Sequence, residues 1–135
     1  MIARRIEELL VFQKAMQLAD AITAILALPG FAQELRLRNQ LRDAADSVVA
    51  NIAEGFPQST DRGFARYLYV ARGSLGEVRA WLELASRRDL VPPPQAARAD
   101  GLAEETARMT TALIKYLLAS NRRDRGTGQT LTDDG

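Results

Sequence analysis

The chain has 135 residues, 47% of them hydrophobic and 26% charged, with a net charge of +1; this is enough apolar material for one domain with a sizeable core, and it carries no global basic field. With no cysteine and no histidine, it excludes disulfides, thiol nucleophiles, Ser-His and Cys-His arrangements, histidine-dependent ribonucleases and zinc or di-iron sites built on imidazole or thiolate. No cofactor or metal is expected.

Arg4 and Arg5 are followed by Glu7 and Glu8 instead of the apolar run of a signal peptide, and the longest uncharged stretch near the start, residues 21–33, is broken by Pro29. The chain therefore reads as soluble and cytoplasmic. Apolar spacings of three and four recur throughout and sustained alternation does not, so the fold class is all-α. A first helix is predicted from Glu8 to Leu28, with Phe12, Ala15, Met16, Ala19, Ile22 and Leu26 on its core stripe, ended by Pro29-Gly30. A second runs from Gln33 to Glu54, with Leu37, Leu41, Ala44, Ala45, Val48 and Ile52 as its seam and Gly55 as its stop. Ser59 or Thr60 caps a third, which runs to Arg88 and buries Phe64, Leu68, Ala71, Leu75, Val78 and Leu82. After "LVPPP" a fourth, Gln95 to Ser120, turns Leu102, Thr106, Met109, Leu113, Tyr116 and Leu117 to the core. Residues 121–135, rich in Gly, Thr and Asp, read as a disordered tail. Four helices on short turns make an antiparallel up-down-up-down four-helix bundle over residues 1–120.

Two polar or apolar anomalies sit on these helices. Gln40, Asp43, Ser47, Asn51 and Glu54 share a stripe about a quarter turn from the seam of the second helix. That stripe is either a solvated flank or a network satisfied from the third helix by Arg72, Ser74 or Arg66. Paired carboxylates for acid-base catalysis are the weakest reading, because no cleft, nucleophile or oxyanion device accompanies them. The third helix is apolar on two sides: opposite its core stripe lie Tyr69, Val70, Gly73, Gly76, Ala80, Trp81 and Leu84. Neighbouring helices of the same bundle could cover this face; the preferred reading is a subunit interface, and so a homo-oligomer, in which the small residues admit a second backbone. Arginine outnumbers lysine 16 to 2. Arg36, Arg38 and Arg42 on the second helix and Arg62 and Arg66 at the start of the third are candidates for nucleic-acid contact, against the alternative of an ordinary solvated surface.

The stretches "LLVFQKAMQLA", "ADSVVANIAEGF" and "FARYLYVARGSLGEVRAWLELA" resemble the 23S rRNA intervening-sequence protein family, small bacterial four-helix bundles with no established catalytic activity. The family is related to the accessory variability protein of diversity-generating retroelements, a pentameric barrel that binds RNA and a reverse transcriptase. The resemblance, over residues 7 to 120, thus implies a ring, most simply a pentamer, with RNA or a reverse-transcriptase-type nucleoprotein as partner. Asn51, Glu54 and Gly55, and Arg72, Gly73, Ser74, Leu75 and Glu77, match its polar signature. Val49, where a proline is common, Gly63, where an acidic residue usually completes the helix cap, and "VPPP" depart from it. Two functions compete: a non-catalytic oligomeric scaffold that binds RNA or a nucleoprotein, and a purely protein-binding or self-assembling module. No small-molecule substrate and no membrane is expected.

Overall fold

Residues 5–131 are described by a computed structural model of the chain, with side chains from 5 to 120 except Glu7. Helix α1 spans Leu10–Leu26, α2 Leu35–Gly55, α3 Asp61–Arg87 and α4 Pro93–Leu131; a 3-10 turn, Ile6–Glu8, precedes α1 and another, Pro29–Gln33, joins α1 to α2. No strand occurs among the described residues. Each helix packs on its neighbours in the order α1, α2, α3, α4 and back to α1, which with short connections gives the up-down-up-down bundle.

The second and third helices bury every residue expected of them, and Ala65, Ser74 and Ala85 join the core face of α3. Phe31, in the turn after α1, closes one end of the core and is fully buried. The first and fourth helices are rotated from the sequence reading. In α1 the buried residues are Val11, Ala15, Leu18, Ile22 and Ile25, whereas Met16 is exposed and Phe12, Ala19 and Leu26 are half-buried. In α4 the core line is Ala96, Ala99, Ala103, Thr106, Thr110, Ile114 and Leu117; Leu102, Met109 and Leu113 lie at its edge and Tyr116 is exposed. The reason is size: alanines let α4 approach its neighbours closely, which pushes the longer side chains to the rim. Thr106 and Thr110 are tolerated inside because their hydroxyls donate to the carbonyls of Leu102 and Thr106, 2.6 and 2.7 Å away.

Helix ends show where sequence punctuation acts. Thr60 caps α3, its Oγ1 accepting from the Gly63 amide at 2.9 Å. At the other end Asp89 adopts φ 56°. The amides of Leu90 and Asp89 donate to the carbonyls of Ala85 and Ser86, both at 3.0 Å, which is a Schellman ending with aspartate where glycine is usual. Pro93 and Pro94 occupy the first turn of α4, where amides have no helical acceptor, so the helix starts earlier than predicted. Its bounds also pass Ser120, and the expected tail lies outside the residues whose side chains are described.

Candidate functional site

The polar signature divides once the helices pack. Asn51 lies on the flank of α2 that meets α3, and its side-chain amide donates to the Ser47 carbonyl at 2.8 Å and to Ser47 Oγ at 3.0 Å. Ser47 Oγ in turn lies 2.8 Å from Ser74 Oγ on α3. Ser74 is 7% exposed, so this hydroxyl pair is the polar link across the α2–α3 seam and fixes the register of the two helices. Glu54 belongs to none of it. Its carboxylate is exposed and has no hydrogen-bond or ion-pair partner among the described residues, and the Glu54 carbonyl accepts instead from Gln58. Arg72 turns away from α2 towards α4, its Nη1 donating to Thr111 Oγ1 at 3.4 Å with the guanidinium 4.9 Å from the centre of the Tyr69 ring. Glu77 is exposed and Arg66 stands in solvent. The expected donors to Glu54 are therefore absent, and of the expected partners of Asn51 only Ser74 is reached, through Ser47.

Gly55 has a different role from the helix stop read in the sequence. It is the last residue of α2, buried, with a right-handed backbone. A Cβ there would sit 2.8 Å from Phe64 Cδ1 and 2.9 Å from Tyr67 Cβ. Glycine is required because α3 crosses directly over it, and the T-shaped Phe56–Phe64 pair, 6.1 Å between centroids, closes the same corner.

The outer face of α3 is open. Tyr69, Val70 and Leu84 are 46%, 51% and 38% exposed, Ala80 is exposed, and a Cβ added at Gly73 or Gly76 would meet no atom within 4 Å. Trp81 departs from this group: it is half-buried and packs against the core. Among the described residues no other helix covers Tyr69, Val70, Gly73 or Gly76.

The arginines read from the sequence fall into two separate groups. Arg36, Arg38 and Arg42 stand at the start of α2, where Arg38 and Arg42 line a shallow groove of about 350 Å3 with Asp46. Arg62 and Arg66 are exposed at the start of α3. Because α2 and α3 run antiparallel, the two groups lie at opposite ends of the bundle, about 25 Å apart for some seventeen residues of helix. A third basic group was not singled out by sequence. Arg79 on α3 donates to both oxygens of Asp100 on α4, at 2.8 and 3.1 Å, and lies 3.9 Å from Glu104, which also pairs with Arg108. The bond to Asp100 and the nearby carboxylates raise the affinity of Arg79 for its proton against a smaller opposing effect of burial. Arg79 and Arg108 share a groove with Lys115, Thr111, Ala107 and Ala112. Arg108, Thr111 and Lys115 follow one another along α4, and contact across α3 and α4 adds Arg79 to them.

A cavity of about 590 Å3 between the end of α3 and the start of α4 is lined by Ser86 together with Arg79, Glu83, Asp89 and Asp100, and among the described residues no base is bonded to the Ser86 hydroxyl. Among the described residues no group of three histidine, cysteine, aspartate or glutamate side chains could hold a metal ion, and no helix is long and apolar enough to cross a membrane.

The model of the 23S rRNA-intervening sequence proteins matches residues 7–112. Among solved structures the chain is similar to a protein of unknown function from the S23 ribosomal protein family of Bacteroides thetaiotaomicron VPI-5482, with a TM-score of 0.71 and 22% identity, over 78% of this chain and 96% of that one. At that identity the likeness concerns the fold. No curated protein matches the chain.

Proposed function

We propose, for a chain that belongs to the 23S rRNA-intervening sequence protein family, that it works as a non-catalytic helical-bundle scaffold whose copies assemble through the outer face of α3 and together bind RNA or a nucleoprotein. The observation that carries the reading is the composition of that face. Large apolar side chains, Tyr69, Val70 and Leu84, stand exposed on both sides of two open glycines, on a helix whose opposite side is fully packed. Removing such a stripe from water is a strong drive to association, and the glycines allow a close approach of a second backbone. Five copies is the number that the family resemblance implies. RNA is favoured as the partner over a protein because the chain's charge is carried by arginine, and a ring repeats each basic cluster around its axis.

Light scattering on the full chain at micromolar concentration tests the assembly. A mass well above the 14.9 kDa of one chain is expected, and Val70→Glu should reduce it, since that side chain is exposed and its replacement leaves the core intact. A wild-type monomer would refute the scaffold reading. Titration with structured RNA at about 50 mM salt tests the second half, with affinity expected to fall steeply as salt rises; an assembled protein that binds no RNA at tens of micromolar would leave a protein-only scaffold.

A further inference from the structure

We infer that the groove between α3 and α4, edged by Arg72, Arg108 and Lys115, is the track along which a single strand of RNA lays its phosphates. This rests on the RNA-binding half of the function proposed above and assigns the contact to residues different from the exposed arginines at the two ends of the bundle.

Charge is the first argument. Arg79, Arg108 and Lys115 line the groove with Glu104, and Arg72 reaches its Thr111 edge from α3. Asp100 and Glu104 pair with Arg79 and Arg108, which leaves the charges of Arg72 and Lys115 uncompensated along this stretch. The carboxylates are also already engaged. Asp100 takes both hydrogen bonds of Arg79, and Glu104 sits between Arg79 and Arg108. Arg72 and Lys115, by contrast, have no carboxylate partner among the described residues. Arg72 lies over the Tyr69 ring and its Nη1 is 3.4 Å from Thr111 Oγ1, which puts its guanidinium at the seam. The Arg108–Glu104 pair joins exposed side chains one helical turn apart, and pairs of that kind are weak enough to exchange for a phosphate.

Shape is the second argument. Ala107, Thr111 and Ala112 form the floor on the α4 side. The groove is wide open along its length, which a flexible polyanion can follow. Arg108 and Lys115 are two helical turns apart, about 10 Å, which is the length of about three nucleotide steps of a stacked strand. The cations thus repeat along a line, as successive phosphates do.

The experiment measures binding of a single-stranded RNA oligomer to the full chain between 50 and 200 mM salt. It compares wild type, Arg72→Gln with Lys115→Gln, and the charge-matched control Arg36→Gln with Arg38→Gln. The groove pair is expected to weaken binding about tenfold at 50 mM salt and to lower the log–log salt slope by about 1.4, that is 0.7 for each lost phosphate contact, while the control leaves both unchanged. Circular dichroism and scattering mass should match wild type in both. Lys115→Glu, at one exposed position, repeats the test if the double variant does not fold. Groove variants that bind like wild type, equal losses in both pairs, or polyglutamate bound as tightly as RNA would overturn the assignment. If wild type binds and only the α2 control weakens, the groove is wrong and the scaffold function stands. If wild type binds structured RNA and not the oligomer, the single-strand track is wrong; if it binds neither, the RNA reading itself falls.

Discussion

Replacing Gly73 and Gly76 by alanine separates what α3 needs as a helix from what its outer face needs as a surface. In the interior of a helix each glycine costs about 0.5–1 kcal/mol relative to alanine, because it orders the most flexible backbone and offers no side chain in return. A methyl group at either position meets nothing within 4 Å in the single chain, so no clash offsets the gain. Taken as a monomer, the double variant should be about 1–2 kcal/mol more stable. If a second backbone packs against α3, the new methyl groups occupy the space that backbone needs, and overpacking of this kind costs about 1–3 kcal/mol. Assembly then weakens, and with it the stability that assembly lends to the fold. Gly101, exposed in α4 and equally open, supplies the control: Gly101→Ala should raise stability by about 0.5–1 kcal/mol with no change in mass. Urea unfolding and light scattering on the same samples read both quantities. Opposite behaviour at α3 and α4 is expected, with mass falling only for Gly73→Ala and Gly76→Ala. If the α3 variants keep the wild-type mass and gain stability as Gly101→Ala does, no close backbone approach occurs at this face.

Three further substitutions probe the seams. Gly55→Ala should destabilise by about 1–3 kcal/mol in urea, since its Cβ would overlap Phe64 and Tyr67 at 2.8 and 2.9 Å. Ser47→Ala and Ser74→Ala should each cost about 1–2 kcal/mol by stranding a partner, and the double variant less than their sum, a coupling that a double-mutant cycle measures; Glu54→Ala, which breaks no side-chain bond, should stay within about 0.5 kcal/mol. Asp89→Gly should stabilise by about 0.5–1 kcal/mol, because φ 56° strains any side chain and the Schellman bonds need only backbone; thermal unfolding would show the rise.

The sequence was most legible where large apolar residues leave one choice of face. In α2, Leu37, Leu41, Val48 and Ile52 recur at helical spacing, with charged or polar residues at 38–40, 42–43, 46–47 and 51, and the stripe they define is the one that is buried. In α1 apolar residues occur at 10, 11, 12, 15, 16, 18, 19, 21, 22, 24, 25 and 26; two stripes compete, and the wheel cannot rank them without knowing which neighbours arrive. The structure selects the one running through Val11, Leu18 and Ile25. In α4 size misled the reading, since Leu102 and Met109 look like core residues while Ala99 and Ala103 are the ones that close contact demands.

The candidate sites were legible to the extent that they lie on one helix. The outer stripe of α3 is periodic, so its exposure is legible in the sequence, with Trp81 the exception because it packs against the core. The network reading satisfies Asn51 from α3, by Arg72, Ser74 or Arg66; its amide finds its acceptor one turn back on α2, at Ser47, which meets Ser74. The α3–α4 groove was invisible for a stronger reason. Arg72 and Thr111 are 39 residues apart and Arg79 and Asp100 are 21 apart, and neither helix is strongly basic by itself. Their charge matters because antiparallel packing sets the cations of two helices on one line and matches the acids to only some of them, which is a property of the pairing and of no single segment. The same packing sends Arg62 and Arg66 to the far end of the bundle from Arg36 and Arg38, so only a neighbouring subunit could join the two groups.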